Sequence, residues 1–363
     1  MDRCPVELLL EIASFACTDG GSTGCALSSV SRYIRHAVEP ARYRSISLRG
    51  MKKVLHFADR LQNMDKPPKV EHLLLSVLGA PYIHCRATAT LLSNMAESDK
   101  TAAVQACTTT LSQLAPTLDI LFLYDESPFL LSDVAIEFPR LQDLSIPCPS
   151  TVSNFISHDI YPSLRRLHVS NIRSFDFTEL WASLAYGAPS FTHLRLSGVR
   201  QDPQLPRSLK TLTGIPNGPS TDADDSETNG AQSGAETENH HGSLDEVAKI
   251  TARLPNLKDV YVRPTLATAI DWTSAPRQNH AAMMKELREL ADETTGRAGA
   301  GLRLHLLPES GGYTLLEARR HWQELVDGGD GPWSAPPGPS VGWADADASI
   351  AQSLARSLVI DGI

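Results

Sequence analysis

A proline followed by alternating apolar residues returns again and again along this 363-residue chain. The fullest copy is Pro162-Ser163-Leu164-Arg165-Arg166-Leu167-His168-Val169. Others open at Pro116, Pro139, Pro189 and Pro255, and a weaker one at Pro68. Apolar residues at every second position give a strand one buried side. The prolines at 116, 139, 162 and 189 stand 23, 23 and 27 residues apart, within the roughly 20 to 29 residues of a strand-bearing structural repeat. Segments 129–136, 152–160 and 175–186 separate these strands, and each is suited to a short helix. The pattern therefore predicts an α/β chain whose parallel strands stack side by side, with helices on the outer face. Leu121, Leu144, Leu167 and Leu194 fall at equivalent core positions. Arg166, His193 and Arg195 flank them, and alternation sends these three to the opposite, exposed face as candidate contacts for a protein substrate.

Before the repeats, residues 5–17 carry the strongest helical pattern. Pro5 suits a first helical turn, and Glu7, Glu11 and Ser14 form one polar stripe on an otherwise apolar helix. That apolar arc is wider than one packing surface needs, so either the helix is enclosed or a second surface meets a partner. Leu27, Val30, Ile34 and Val38 predict a second helix that Pro40 ends, and 43–48 alternate as a first strand. The intervening Gly20-Gly21-Ser22-Thr23-Gly24 matches the Gly-x-Ser-x-Gly spacing of a nucleophile elbow. It follows a helix rather than a strand, which makes it a loop. Helical spacing also marks 81–114, 244–253, 281–291 and 313–326, the last expected to cap the open end of the stack. A final strand is expected at 302–306, and 205–212 read as a degraded strand repeat. Segment 216–243 lacks large apolar residues and reads as a disordered insertion. Residues 334–347 form a linker, and 350–358 a short amphipathic tail.

Cys4-Pro5-Val6-Glu7-Leu8-Leu9-Leu10-Glu11-Ile12, Val30-Ser31-Arg32-Tyr33-Ile34-Arg35 and Pro40-Ala41-Arg42-Tyr43-Arg44-Ser45-Ile46-Ser47-Leu48 together resemble the F-box of fungal-type F-box proteins. Cys4 stands where that family usually has leucine, Ile34 where a tryptophan is frequent, and Ala16 where leucine is usual. The later repeats resemble a leucine-rich-repeat domain. In place of the asparagine such repeats carry eight residues after the first leucine stand Glu126, Pro149, Ile172, Val199 and Thr265, so irregular turns are expected. The resemblance implies an all-helical module over 1–50, a repeat domain over 51–310, a capping helix over 311–333 and a tail over 334–363. It further implies docking on a Skp-family adaptor of a cullin ubiquitin ligase through Pro5, Leu8, Leu9, Ile12, Val30 and Ile34, with the repeats holding a protein substrate. A scaffold that no longer binds the adaptor is the alternative reading.

Composition narrows the chemistry. The net charge is −9, but Asp222, Asp224, Asp225, Glu227, Glu236 and Glu238 all sit in the acidic insertion, and setting them aside leaves −3. A polyanion partner is therefore not implied. The basic run over 31–53 lacks a nucleic-acid motif and reads as a solvated face. The six cysteines lack a Cys-x-x-Cys pair, and reduced thiols fit a cytoplasmic or nuclear protein. No apolar run reaches the ~20 residues of a membrane span. No phosphate-binding loop, dinucleotide fingerprint or paired metal ligands occur, so the expectation is a non-catalytic protein without cofactor or metal.

Overall fold

The computed structural model describes residues 4–79, 95–125, 136–148, 160–172, 177–200, 202–215, 254–266, 274–296 and 301–334. The chain forms two compact units, Met1–Trp333 and Ser334–Ile363, and every element below belongs to the first. The expected insertion at 216–243, the helix at 244–253, the linker and the tail lie outside the described residues, as do most of the helical segments at 129–136 and 152–160.

The protein is α/β, with a single sheet of eight parallel strands that pair strictly in chain order. These are β1 (Ser45–Arg49), β2 (His72–Ser76), β3 (Ile120–Leu123), β4 (Asp143–Pro147), β5 (Arg166–Ser170), β6 (His193–Val199), β7 (Asp259–Pro264) and β8 (Arg303–Leu306). The expected leucine row is present. Leu73, Leu121, Leu144, Leu167, Leu194, Val260 and Leu304 are successive register partners. All seven are buried in the main core, under helices on that face of the sheet. Among the described residues, the α-helices between the strands are α4 (Met51–Gln62), α5 (Glu97–Leu114), α6 (Phe177–Gly187), α7 (Gln204–Leu212) and α8 (Ser274–Gly296).

Five expectations are corrected. Residues 205–212 are the helix α7 rather than a strand, because Leu205, Leu209 and Leu212 recur at helical spacing and all three are buried. The single helix through Leu27 and Val38 is two helices, α2 (Ser22–Val30) and α3 (Arg32–Arg42). Ser31 takes an extended backbone between them, and its hydroxyl accepts the Ile34 N–H as the cap of α3. Pro40 lies inside α3 rather than ending it. The glycine-rich stretch is a tight turn rather than a loose loop: Gly20 and Gly21 have positive φ, Ser22 already opens α2, and Asp19 accepts the Thr23 N–H. At Gly20 a side chain would meet the Ser47 Cβ at 2.9 Å, so glycine lets this turn lie against β1.

The fifth correction sets the chemistry of the sheet. Helix α9 (Leu315–Val326) does not cap an open end. It crosses the sheet face opposite the main core and packs on β2 and β3. Leu74, Ile120, Phe122, Tyr124 and Tyr261 meet Leu315, Ala318, Trp322 and Leu325 there in a second apolar cluster. The 3-10 turn Gly331–Trp333 extends that cover toward β6. β2 and β3 are consequently buried on both faces, as their unbroken apolar runs Leu73-Leu74-Leu75 and Ile120-Leu121-Phe122-Leu123 require.

Candidate functional site

Helix α1 (Val6–Ala16), α2 and α3 make a small module whose own core is Ala13, Cys17, Ile34, Val38 and Ala41, with Leu10 and Leu27 packed at its margin. That core uses one side of α1 only. Leu8, Ile12 and Phe15 remain 49%, 59% and 75% exposed, and Val30 at the end of α2 is 61% exposed. Pro5 and Val6 are exposed beside them, Leu9 is half-buried, and Ile34 faces inward. Of the six residues expected on this surface, five thus lie at least partly in the open and Ile34 shapes the module from within. Phe15, the most exposed of all, escaped the sequence reading although it lies three residues after Ile12 and seven after Leu8. The module is fixed to the sheet by Arg44, which donates to the Ser14 carbonyl at 2.9 Å and pairs with Glu71 at 2.6 Å.

The second surface is the leading edge of the sheet, where the chain enters each strand. One residue ahead of the strands lie Asp119, Gln142, Arg165, Thr192 and Lys258 in register, each donating its backbone N–H to the residue aligned with it on the preceding strand: Glu71, Asp119, Gln142, Arg165 and Thr192. The residue after three of the repeat prolines adds a side-chain rung: Thr117 donates to the Val70 carbonyl at 2.8 Å, Ser163 to Pro139 at 2.6 Å and Asn256 to Pro189 at 3.0 Å.

Along this edge opens a cleft of about 450 Å³ lined by Gln142, Arg165, Ser190, Thr192 and Lys258, among others. A second cleft of about 240 Å³ adjoins it, sharing Gln142, Arg165 and Ser190 and reaching Asp119 and Arg140. The first residues of the strands form its floor. Asp143 is buried and takes both Nε and Nη2 of Arg166. Asp259 gathers Arg303 at 2.9 Å, His305 at 2.8 Å and His193 at 3.5 Å. Burial alone would raise the Asp259 pKa, but the bonds from His305 and Arg303 outweigh it and hold the carboxyl below its ordinary range. Burial lowers the His193 pKa.

The three residues expected to face solvent as substrate contacts fare differently. Arg166 and His193 are half-buried, their side chains 5.8 and 6.1 Å from the Trp333 ring. Arg195 is only 4% exposed. Its Nη1 donates to the Pro332 carbonyl and its Nε to Ser197 at 3.1 Å, because the chain around Trp333 folds over it. Beneath α9 the row continues with His168, whose Nδ1 lies 3.0 Å from the Ser145 hydroxyl, and with Tyr313 edge-on to the His168 ring. This hydroxyl and imidazole are both fully enclosed, and burial holds His168 neutral. Among the described residues no group of three or more His, Cys, Asp or Glu is arranged to hold a metal ion, and no helix is long and apolar enough to cross a membrane.

Arg165, Lys258 and Gln142 were not singled out from sequence. Their signal is positional: each lies between the buried first apolar residue of its repeat and the first residue of its strand, where the chain enters the sheet. Compared with known protein families, with curated proteins and with solved structures, the chain matches none.

Proposed function

We propose that this protein is a substrate-recognition subunit of an SCF-type ubiquitin ligase, with an F-box-like module at α1–α3 and an irregular leucine-rich-repeat solenoid behind it. The observation that carries the reading is the exposed strip of Leu8, Ile12 and Phe15 along α1, with Val30 also exposed on α2, on a module whose core is already complete without them. Apolar side chains grouped in this way mark a surface that another protein covers. The motif resemblance across the same residues supplies the partner, a Skp-family adaptor joined to a cullin. The protein performs no chemistry in this role. It holds a bound protein near a ubiquitin-loaded enzyme, and the Arg44 bonds that tie the docking module to the sheet serve such positioning.

The test is a pull-down of purified adaptor, followed by co-purification of the cullin from cells. The unaltered chain is expected to retain the adaptor. Leu8→Asp with Ile12→Asp should abolish capture while leaving the fold intact, since both side chains already stand in solvent. Glu7→Ala with Glu11→Ala should change it little. Capture that survives the double aspartate change removes this surface from the mechanism. No capture by the unaltered chain favours the scaffold reading, for which the departures from the family pattern at Cys4, Ala16 and Ile34 speak.

A further inference from the structure

We infer that the groove along the leading edge of β3–β7 is a docking site for an extended acidic peptide. The inference rests on the reading of the sheet as the substrate-contacting part, and it names the chemistry of that substrate. Three observations carry it, beginning with charge. The two adjoining clefts hold Arg140, Arg165, Arg166 and Lys258 against Asp119 and Asp143, a local excess of cations on a chain whose net charge is −9. Arg166 is taken by Asp143, and Arg140 pairs with Asp119 at 3.1 Å. Arg165 and Lys258 are exposed and pair with no carboxylate among the described residues. They are the charges left over for a ligand.

Geometry comes next. Arg165 and Lys258 sit two strands apart, on either side of Thr192, which places their backbones about 10 Å from one another. The edge from Asp119 to Lys258 crosses four strand intervals, about 19 Å, which matches about six residues of extended chain. On such a peptide in the polyproline II form, with three residues per turn, two acidic side chains three residues apart share one face about 9 Å from each other and reach one cation each.

The third observation separates a peptide from a phosphate. Backbone N–H groups turned into a cleft make the nests that hold phosphate, but here those of Gln142, Arg165, Thr192 and Lys258 are all spent on neighbouring carbonyls. What remains open is the Gln142 side chain, exposed and without a hydrogen-bond partner among the described residues. A primary amide presents a donor and an acceptor together, the complement of a peptide unit. Long-range attraction from the cations then steers the acidic segment in, and Gln142 fixes its backbone.

The purified full-length chain, with no adaptor present, should bind fluorescein-labelled hexaglutamate saturably at low salt and more weakly as salt rises. Arg165→Glu with Lys258→Glu should weaken that binding at least tenfold without moving the melting temperature. The milder Arg165→Gln with Lys258→Gln should weaken it in the same direction. Lys52→Glu with Lys53→Glu, on exposed positions of α4, should leave it unchanged. Hexaglutamine bound equally well, retention by the charge-reversed protein, or no saturable binding by the unaltered chain overturns the proposal. So does displacement by inorganic phosphate at a concentration where acetate has no effect. Because the assay omits the adaptor, its failure leaves the pull-down result standing, and the reverse holds.

Discussion

Asp125 is the most consequential single carboxyl in the fold. It follows β3, is fully enclosed, and accepts the backbone N–H groups of Val77 and Leu78 and the hydroxyl of Ser76. Burial raises its pKa to about 6 against the pull of those three donors. A carboxyl that is harder to ionise when folded than when unfolded adds stability at low pH, and that contribution disappears as pH rises from about 4 through about 6. A shift of roughly two units corresponds to about 3 kcal/mol. Asp125→Asn keeps an acceptor and cannot ionise, so its free energy of urea unfolding should gain on the wild type by that order between pH 4 and pH 7. A constant difference across that range would show Asp125 ionised throughout. The polar turn residues were sought at 126 and 172 from the repeat pattern, and the residues in use stand one position earlier. Asn171, like Asp125, lies seven residues after the first leucine of its repeat, buried and with a left-handed φ of 62°. That conformation suits asparagine and little else besides glycine. The Thr, Ser and Asn that follow three of the prolines were equally legible, since a short hydrogen-bonding side chain kept at one place in a repeat implies a rung.

At the scale of elements, the strands were read well because alternation after a proline leaves little choice of face, and the leucine row follows from it. Leu167→Ala should cost roughly 2 to 5 kcal/mol in chemical denaturation, since Leu167 is wholly enclosed between Leu144 and Leu194. The helices were harder. Leu27, Val30, Ile34 and Val38 satisfy one continuous helical period, and only Ser31 tells against it, because a serine followed by a helical run is also a cap. Ser31→Ala should therefore lower stability by about 1 kcal/mol, read by urea unfolding, while α2 and α3 stay separate. Residues 205–212 mislead in the opposite direction. They repeat the strands' pattern of a proline followed by two leucines three apart, yet Leu205, Leu209 and Leu212 fall four and three apart, and that spacing prevailed. Helix α4, which starts at the end of the basic run, passed unseen, although Val54, Phe57, Ala58 and Leu61 make a buried stripe at helical spacing.

For the molecule as a whole, the decisive event is the return of α9 across the sheet. The sequence announced it only through the doubly apolar β2 and β3, which an alternating strand with a solvent face would not show. Trp322 is fully buried at that seam, and Trp322→Ala should cost about 3 to 5 kcal/mol in unfolding free energy. The polar groups under α9 add a pH response. Burial, reinforced by Arg195, Arg320 and Arg263, lowers the His321 pKa to about 2. His168 is held neutral in the same way. Their contribution is complete above the unfolded value of about 6.5 and is lost as pH falls below it. Hydrogen exchange should show α9 losing protection between pH 7 and pH 5 sooner than α4, and equal loss would place the acid-sensitive step elsewhere. The order of manufacture gives this seam a further meaning. Strands β1 to β8 pair as they are synthesised, so each can settle on its predecessor as it leaves the ribosome. Helix α9 is made long after the strands it covers, and Gln323 reaches back to the Thr18 carbonyl, 305 residues away. Until α9 emerges, Leu74, Phe122 and Tyr124 stay bare, and a message cut short before it yields a chain that keeps them bare, visible to every chaperone and protease that senses greasy surface.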